Sequence, residues 1–407
     1  MDKTNNKYEQ LYLEEISLLP EADAEAYIRL NLRRILAHRR QFDIPVIAIA
    51  GAEGKTTTKR MVSAILSQHM KLLETPPNCS TAHGVTSALL RLDESHDAAL
   101  LEIGVIDNKQ FKLAVEVAEP NIAAVTNIGE AHLATLGDKY LIADAKTELI
   151  RHLPEDGIAV LNIDDDLVST LGNYAKTPRI IKFGLNTNAH FYASDIHYHG
   201  PAGISFKING YYNIHLPVYS STSIYNALTA IAIARSMGID FEDIQHGLEK
   251  RFSLLRHRGN LLNEKGVFIL DYTYDATVNA VTKELESLIQ FKNFAKKLVL
   301  VIGDIRYSGP RSRLQHLKIG YIVAASPIDT VITVGKNARQ IAEGVEKMNH
   351  SRKKDITMLD HPDELKAILP NHLESDSCVL MMGSRDLALS KAIKQIFAPE
   401  SYIKQVV

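Results

Sequence analysis

The sequence predicts an α/β chain. A central P-loop-type domain, built on a mostly parallel sheet with a small antiparallel meander, is followed by a C-terminal Rossmann-like doubly wound domain. Three observations carry that prediction. Short apolar strands alternate with helical stretches through both halves of the chain, the rhythm of a parallel sheet wrapped by helices. A Gly-rich turn bearing Lys55 and Thr56 sits between the first buried strand and the helix after it. From about residue 260 a second series of strands begins, each followed by Gly or Asp and then a helix, which is how an open doubly wound sheet reads.

Taken in order, residues 1–44 are expected to form a helical extension. Glu21 to Arg40 reads as a charged helix whose apolar stripe, Ala24, Ala26, Ile28, Leu30, Leu32, Ile35 and Leu36, is imperfect. Its basic end, Arg33-Arg34 and His38-Arg39-Arg40, suits a helix C-terminus. It reads as a solvated face, with an anion-binding patch as the alternative.

A central domain over residues 45–258 opens with the strand Val46–Ala50 and a helix from Thr57 to about His69. Further strands are expected at Ala98–Leu101, Ile122–Thr126 and Gly157–Leu161. The runs Ile180–Phe183, Phe191–Ala193, Gly203–Phe206 and Tyr211–Leu216 are short, partly alternating and broken by Gly, Pro and Asn, hence the meander. A long helix, Ser223 to Met237, is closed by Gly238. The third segment, residues 259–407, carries strands at Gly266–Leu270, Leu298–Ile302, Thr330–Val334 and Cys378–Met382. Sites are expected at the carboxyl ends of such strands.

Composition narrows the function classes. A chain of 407 residues has room for two or three domains, each with its own core. With 46 Lys+Arg against 48 Asp+Glu the net charge is −2, which argues against a dedicated nucleic-acid binder or a polybasic membrane protein. Two cysteines, Cys79 and Cys378, cannot build a disulfide framework. The polar start, Met1-Asp2-Lys3-Thr4-Asn5-Asn6, lacks the apolar core of a secretory signal. No apolar run reaches the ~18–20 residues of a membrane span. A soluble, cytoplasmic protein is expected.

Gly51-Ala52-Glu53-Gly54-Lys55-Thr56 has the strand–turn–helix context of a phosphate loop. Glycines let backbone N–H groups approach phosphate oxygens, and the helix N-terminus adds a favourable dipole. Lys55 can reach the terminal phosphates and Thr56 can ligand Mg²⁺. The spacing is shorter than in the widespread loop, which would need Gly where Ile49 stands.

That shorter G-x-x-G-K-T-T-T form resembles the Mur ligases, ATP-dependent amide-forming enzymes, and their folylpolyglutamate and cyanophycin synthetase relatives. Further segments carry the same resemblance in the same order. Thr75-Pro76-Pro77-Asn78 with Gly84-Val85, Glu102-Ile103-Gly104, Thr126-Asn127-Ile128-Gly129 with Ala131-His132-Leu133, and Ile142-Ala143 with Ala145-Lys146 and Glu148 follow one another. Tyr225-Asn226-Ala227-Leu228, Arg258-Gly259, Thr273-Tyr274-Asp275-Ala276, Gly303-Asp304 and Gly383-Ser384-Arg385 complete the series. The closest likeness is to the branch that adds D-alanyl-D-alanine.

The resemblance implies a carboxylate attacking the γ-phosphorus of ATP, and an amine then displacing phosphate from the acyl phosphate. It implies Lys55, His132 and Lys146 as catalytic residues. ATP would meet Gly51, Gly54, Lys55, Thr56, Thr57, Asn226 (adenine), Arg258 (a phosphate) and Asp271 (the ribose). Thr56 and Glu102 would hold one Mg²⁺, and His132 with a carbamylated Lys146 a second. Substrate contacts would fall to Ser80, Thr81, Arg306, His316, Ser384 and Arg385. Read without the resemblance, Glu102 is equally a helix cap, Arg258 a surface ion pair, and Lys146 a surface lysine paired with Glu148 or Asp144.

The chain also departs from the pattern. Only about 45 residues precede the loop strand, where the peptidoglycan enzymes carry a uridine-nucleotide-binding domain, so a non-nucleotide acid is the expected acceptor. An asparagine pair is replaced by Ser80-Thr81, and an acidic stretch by one containing Arg306, Arg311 and Arg313. Glu53 puts a carboxylate in the loop itself, either facing the nucleotide or paired with Lys59 or Arg60. The expected substrates are a small-molecule or peptide carboxylate and an amine, without nucleic acid or membrane and with the oligomeric state open. Two rival readings are an ATP-binding scaffold derived from the ligase fold and a P-loop ATP hydrolase.

Overall fold

The computed structural model describes residues 20–104, 107–129, 139–305, 312–348 and 353–397. Contacts divide the chain into two compact units. The first holds 1–194, 208–212 and 225–252, and the second 195–207, 213–224 and 253–407.

The first unit begins with helix α1 (Glu21–Arg39), then β1 (Val46–Ala50), α2 (Lys55–Leu66), β2 (Leu72–Glu74), α3 (Ala82–Leu89), β3 (Ala98–Glu102), α4 (Asn108–Ala118) and β4 (Ile122–Val125). It continues through α5 (Lys139–Arg151), β5 (Ile158–Asn162), α6 (Asp166–Thr170) and β6 (Ile180–Gly184). The strand order of the sheet is β2-β3-β1-β4-β5-β6, extended by β7 (Phe191–Tyr198), β8 (Ile204–Ile208) and β9 (Tyr212–Leu216), whose residues 195–207 and 213–216 fall to the second unit. β1, β3, β4 and β5 are fully buried runs of Ala, Val, Ile and Leu, as strands covered on both faces must be. β1 pairs in parallel with β3 and with β4, setting Ile49 beside both Glu102 and Ala124. That register brings the carboxyl ends of the three strands to one edge, which is where the site lies.

The first expected meander strand belongs to the parallel part: β6 runs parallel to β5 and β7 parallel to β6. The turn back comes between β7 and β8, where His199 N donates to Gly203 O and Asn209 N to Tyr192 O. Helix α7 (Thr222–Ser236) and the short α8 (Phe241–His246) follow.

The basic end of α1 is solvated in part: Arg33, Arg34 and Arg40 are exposed, as expected, while His38 and Arg39 are not. Arg39 is buried and donates to the carbonyls of Phe42 and Ile44, and Arg40 pairs with Glu119. Both line a cavity together with Asp43, Glu116 and Glu119, so the charge there is balanced and anion binding is not favoured either.

The second unit carries β10 (Asn260–Glu264), β11 (Val267–Tyr272), α9 (Val278–Gln290), β12 (Lys297–Gly303), α10 (Ser312–Ala325), β13 (Thr330–Val334), α11 (Arg339–Met348), β14 (Asp355–Leu359), β15 (Ser377–Met382) and α12 (Leu389–Ile396). Its order is β10-β11-β15-β12-β13-β14, parallel except for the β10–β11 hairpin. Two cores cover the sheet. One packs Val281, Leu285 and Leu288 of α9 on Leu298, Leu300 and Ile302, and the other packs Leu389 and Ile393 of α12 on Val299 and Val301. Each such side chain contributes roughly 1.5–3 kcal/mol by leaving water. No helix of the described residues is long and apolar enough to cross a membrane.

Candidate active site

At the end of β1 the backbone turns through Gly51–Gly54 into α2. A Cβ on Gly51 would lie 1.9 Å from Thr126 Oγ1, and one on Gly54, whose φ is +79°, would lie 2.2 Å from Asn226 Oδ1. Only glycine fits at both positions. The residues after β4 fasten the loop. Asn127 Oδ1 accepts from the N–H groups of Ala52 and Glu53 at 3.0 and 2.9 Å. Thr126 Oγ1 and Asn127 Nδ2 donate to Glu53 O at 2.9 and 3.1 Å. α2 has no side-chain cap, which leaves the N–H groups of its first turn for an anion. Lys55 Nζ donates to Gly51 O and Ala52 O, both at 3.0 Å, and so arches over the loop where phosphate would sit. Thr57 lies in the same turn, and Asn226, buried, accepts from Thr58 Oγ1 at 3.2 Å.

Beside the loop, Thr56 Oγ1 lies 3.1 and 2.9 Å from the two oxygens of Glu102, a carboxylate only 5% exposed. Glu102 is therefore not a helix cap. Its backbone N–H donates to Thr75 Oγ1 at 2.9 Å, and buried Lys59 donates to Thr75 O. Burial lowers the Lys59 pKa while Glu102 opposes that. Among the described residues no group of three or more His, Cys, Asp and Glu side chains is arranged to hold a metal. Mg²⁺ needs no such group when phosphate and water complete its shell, and a buried hydroxyl–carboxylate pair has the hard-oxygen chemistry it prefers.

Lys146 on α5 is 1% exposed and donates to Asn127 O at 3.2 Å. It is not paired with Glu148, which is engaged by Lys112, Arg151 and His152. Burial, and then the charge of Lys55, push its pKa down to about 7, against the opposing pull of Asp165 and Glu53. Lys55, Glu53 and Asp165 thus all act electrostatically on Lys146, while Lys59 turns to Thr75. Asp165 Oδ2 also accepts from Ile128 N at 2.7 Å.

The other expected contacts are distributed as follows. Ser80 O accepts from Gly104 N at 2.8 Å, two residues beyond Glu102, while the Thr81 hydroxyl caps α3 by accepting from Gly84 N. His132 and Arg306 lie outside the described residues. In the second unit the Arg258 guanidinium lies 3.8 Å over the Tyr274 ring, and Arg385 lies 5.8 Å from the same ring. Asp271 is fully buried and bonded to His257 and Thr273. Ser384 N donates to Asp304 O at 2.9 Å. His316 is also fully buried: Nε2 accepts from Ile305 N, Nδ1 donates to Ser312 O, and burial lowers its pKa. Both its nitrogens are consumed by the backbone, tying Ile305 and Ser312 to one ring.

Sequence reasoning assigned no role to Asn127, Thr75 or Asp165, and named Lys59 only as a partner for Glu53. Asn127 was open to recognition, because an Asn directly after a buried parallel strand sits at a loop-facing edge. Thr75 and Asp165 come to the loop through contacts with residues distant in the chain.

The Mur ligase middle domain matches residues 49–234, and the Mur ligase glutamate ligase domain matches residues 257–385. A UDP-N-acetylmuramoyl-tripeptide–D-alanyl-D-alanine ligase of Buchnera aphidicola is 31% identical over 364 residues, covering 88% of this chain and 76% of its own length. The ligase of the same description from Synechocystis is 30% identical with the same coverage. The crystal structure of MurF from Acinetobacter baumannii superposes with a TM-score of 0.80 at 28% identity, over 89% of this chain and 78% of that one.

Proposed function

The chain belongs to the Mur ligase family, and from that premise we propose that it joins a carboxylate to an amine at the expense of ATP, by way of an acyl phosphate. The observation that carries this reading is the convergence of Lys55, Lys146, Thr56 and Glu102 at the carboxyl ends of β1, β3 and β4.

In the first step a carboxylate oxygen attacks the γ-phosphorus; the new O–P bond forms as the bond to ADP breaks. Negative charge grows on the phosphoryl oxygens, and Lys55 with the first-turn N–H groups of α2 meets it without reorganising. In the second step the amine nitrogen attacks the acyl carbon, phosphate leaves with the bonding pair, and the amine gives up a proton. Mg²⁺ would be held by Thr56 and Glu102 and would neutralise phosphate charge.

Lys146 fits the carbamylated role. Reaction with CO₂ requires the neutral amine, and a lysine titrating near 7 supplies it at physiological pH. The N–C bond forms, one proton is lost, and an anion replaces a cation. Lys55 favours that anion, whereas Glu53 and Asp165 oppose it.

The relatives are named for a UDP-linked tripeptide as acid and D-alanyl-D-alanine as amine. The expectation of a non-nucleotide acid finds no support in those names, and we take the named pair as the first substrates to assay. As an ATP consumer with two free cysteines, the enzyme is assigned to the cytoplasm.

The test is phosphate release from MgATP by the purified protein. The ligase reading expects release only when acid and amine are both present, with a stoichiometric amide product. Turnover that ignores both would make the protein a hydrolase, and ATP binding without turnover for any pair a scaffold.

A further inference from the structure

The cavity at the C-terminal end of α1 is used by no step of the ligase reading. It measures about 610 Å³, within the range of small-molecule sites. It lies wholly in the first unit, against Pro120 and Asn121, which precede β4. The phosphate loop meets β4 at its other end, through Thr126 and Asn127. The cavity therefore belongs to the edge of the sheet opposite the candidate active site.

Three helices end on it: Arg39 and Arg40 close α1, Glu116 and Glu119 close α4, and His152 follows α5. A helix C-terminus carries partial negative charge and favours a cation. The side-chain charges come close to balance, with one carboxylate over. Arg40 Nε donates to Glu119 Oε2 at 3.0 Å. Arg39 gives its two terminal nitrogens to the carbonyls of Phe42 and Ile44, and Glu119 and Asp43 offset its charge. Glu116 has neither a hydrogen bond nor an ion pair among the described residues. His152 Nδ1 donates to Glu148 O at 2.8 Å, so the neutral ring offers Nε2 as a second acceptor.

Donors are present as well. Asn121 Oδ1 accepts from Val46 N at 2.9 Å, and its Nδ2 has no partner among the described residues. Arg40 is exposed, and its Nη1 is likewise uncommitted. Arg39, only 7% exposed, keeps a buried Nε without a hydrogen bond and adds fixed positive charge to the wall. A bare anion would meet the carboxylates and the helix ends, and a bare cation would meet the guanidiniums. A ligand bearing both charges satisfies each set.

We propose that this cavity binds a small zwitterion of the amino-acid or short-peptide class. Its ammonium lies on Glu116 and His152 Nε2, and its carboxylate on Asn121 Nδ2 and Arg40. A free amino acid and a dipeptide share that chemistry and differ in the span between their charges.

The experiment is calorimetric titration of the full chain with L-alanine, L-alanyl-L-alanine, ethylamine and acetate. At least one zwitterion is expected to bind, and the tighter of the two fixes the span. Ethylamine should bind at least about ten-fold more weakly, and acetate should give no binding heat. Glu116→Gln preserves shape at a partly exposed position and should fold as wild type does. It should nevertheless weaken zwitterion binding about ten-fold or more, since a bond to a charged group is lost. Asn121→Asp keeps the acceptor for Val46 N but exchanges the free donor for a carboxylate. It should weaken the zwitterion and strengthen ethylamine, a reversal that a merely loosened cavity would not produce. MgATP should bind wild type and both variants alike, which separates this cavity from the nucleotide site. A wild type that binds neither zwitterion overturns the proposal. So does a Glu116→Gln variant that binds them as wild type does, because the ligand then sits elsewhere, at a substrate site. Ethylamine binding as tightly as the zwitterions also overturns it, in favour of a site for simple cations.

Discussion

The phosphate-loop cluster of the first unit and the Asp271 cluster of the second hold their charges in different ways. In the first, backbone carbonyls hold the cations: Gly51 and Ala52 take Lys55, Asn127 takes Lys146, and Thr75 takes Lys59. In the second, other side chains hold the carboxylate, with His257 on one oxygen and Thr273 on the other. A carbonyl is supplied by the fold whatever the side chain, so a cation there can be removed without orphaning a partner that only side chains satisfied. Removing one side chain from the second cluster leaves a buried group short of a bond.

The largest effect that sharpens this contrast is expected at Lys55. Lys55→Met should lower ADP-forming turnover at least about a thousand-fold, with a thermal midpoint near wild type. A variant keeping a tenth of the activity would show that phosphate binds elsewhere.

Lys146→Met should lose about a hundred-fold or more in turnover, and Lys146→Ala should regain part of its loss with added short carboxylates; a Lys146→Ala variant as active as wild type breaks the assignment. The same change should also stabilise the fold, because the native lysine titrates near 7 and an unfolded one near 10.5. Below pH 7 both states carry the proton, and the native state bears the full burial cost. Between 7 and 10.5 the unfolded chain binds more protons, so wild-type stability recovers as pH rises. The calorimetric gain of Lys146→Met should therefore be largest near pH 6 and shrink towards pH 10. In the wild type the neutral fraction grows about ten-fold from pH 6 to 8, and activation by bicarbonate should follow it.

Glu102→Gln should raise the Mg²⁺ requirement about ten-fold, since a neutral amide is a weaker ligand for a hard cation. An unchanged Mg²⁺ titration would move the metal off this pair. The smallest effect belongs to the second cluster. Thr273→Val should cost about 1–2 kcal/mol in urea unfolding, and a stability loss for Lys55→Met as large as this one would erase the distinction between the clusters.

Much of the first site was legible because its motifs are contiguous. Strand, glycine turn and Lys55-Thr56 are neighbours in the chain, and a buried strand ending at Glu102 announces a carboxylate at the sheet's edge. What failed was of a different kind. β14 and β10 went unrecognised because Asp355–Leu359 and Asn260–Glu264 lie at the sheet's edges, where Asp355 and Thr357, and Asn260, Asn263 and Glu264, leave no continuous buried apolar run. Arg39 read as solvated because nothing local shows that the carbonyls of Phe42 and Ile44 turn back on it.

Alternation and turn chemistry in the amino-acid order determined two α/β units, a phosphate loop and the identity of its cation. Only the tertiary structure decided which charges answer one another. Parallel pairing of β1 with β3 and β4 set Glu102 against Thr56 and Asn127 against the loop, and the packing of α5 buried Lys146. Local propensity acts between residues a few positions apart, whereas desolvation and Coulomb forces act between whatever the folded chain brings near.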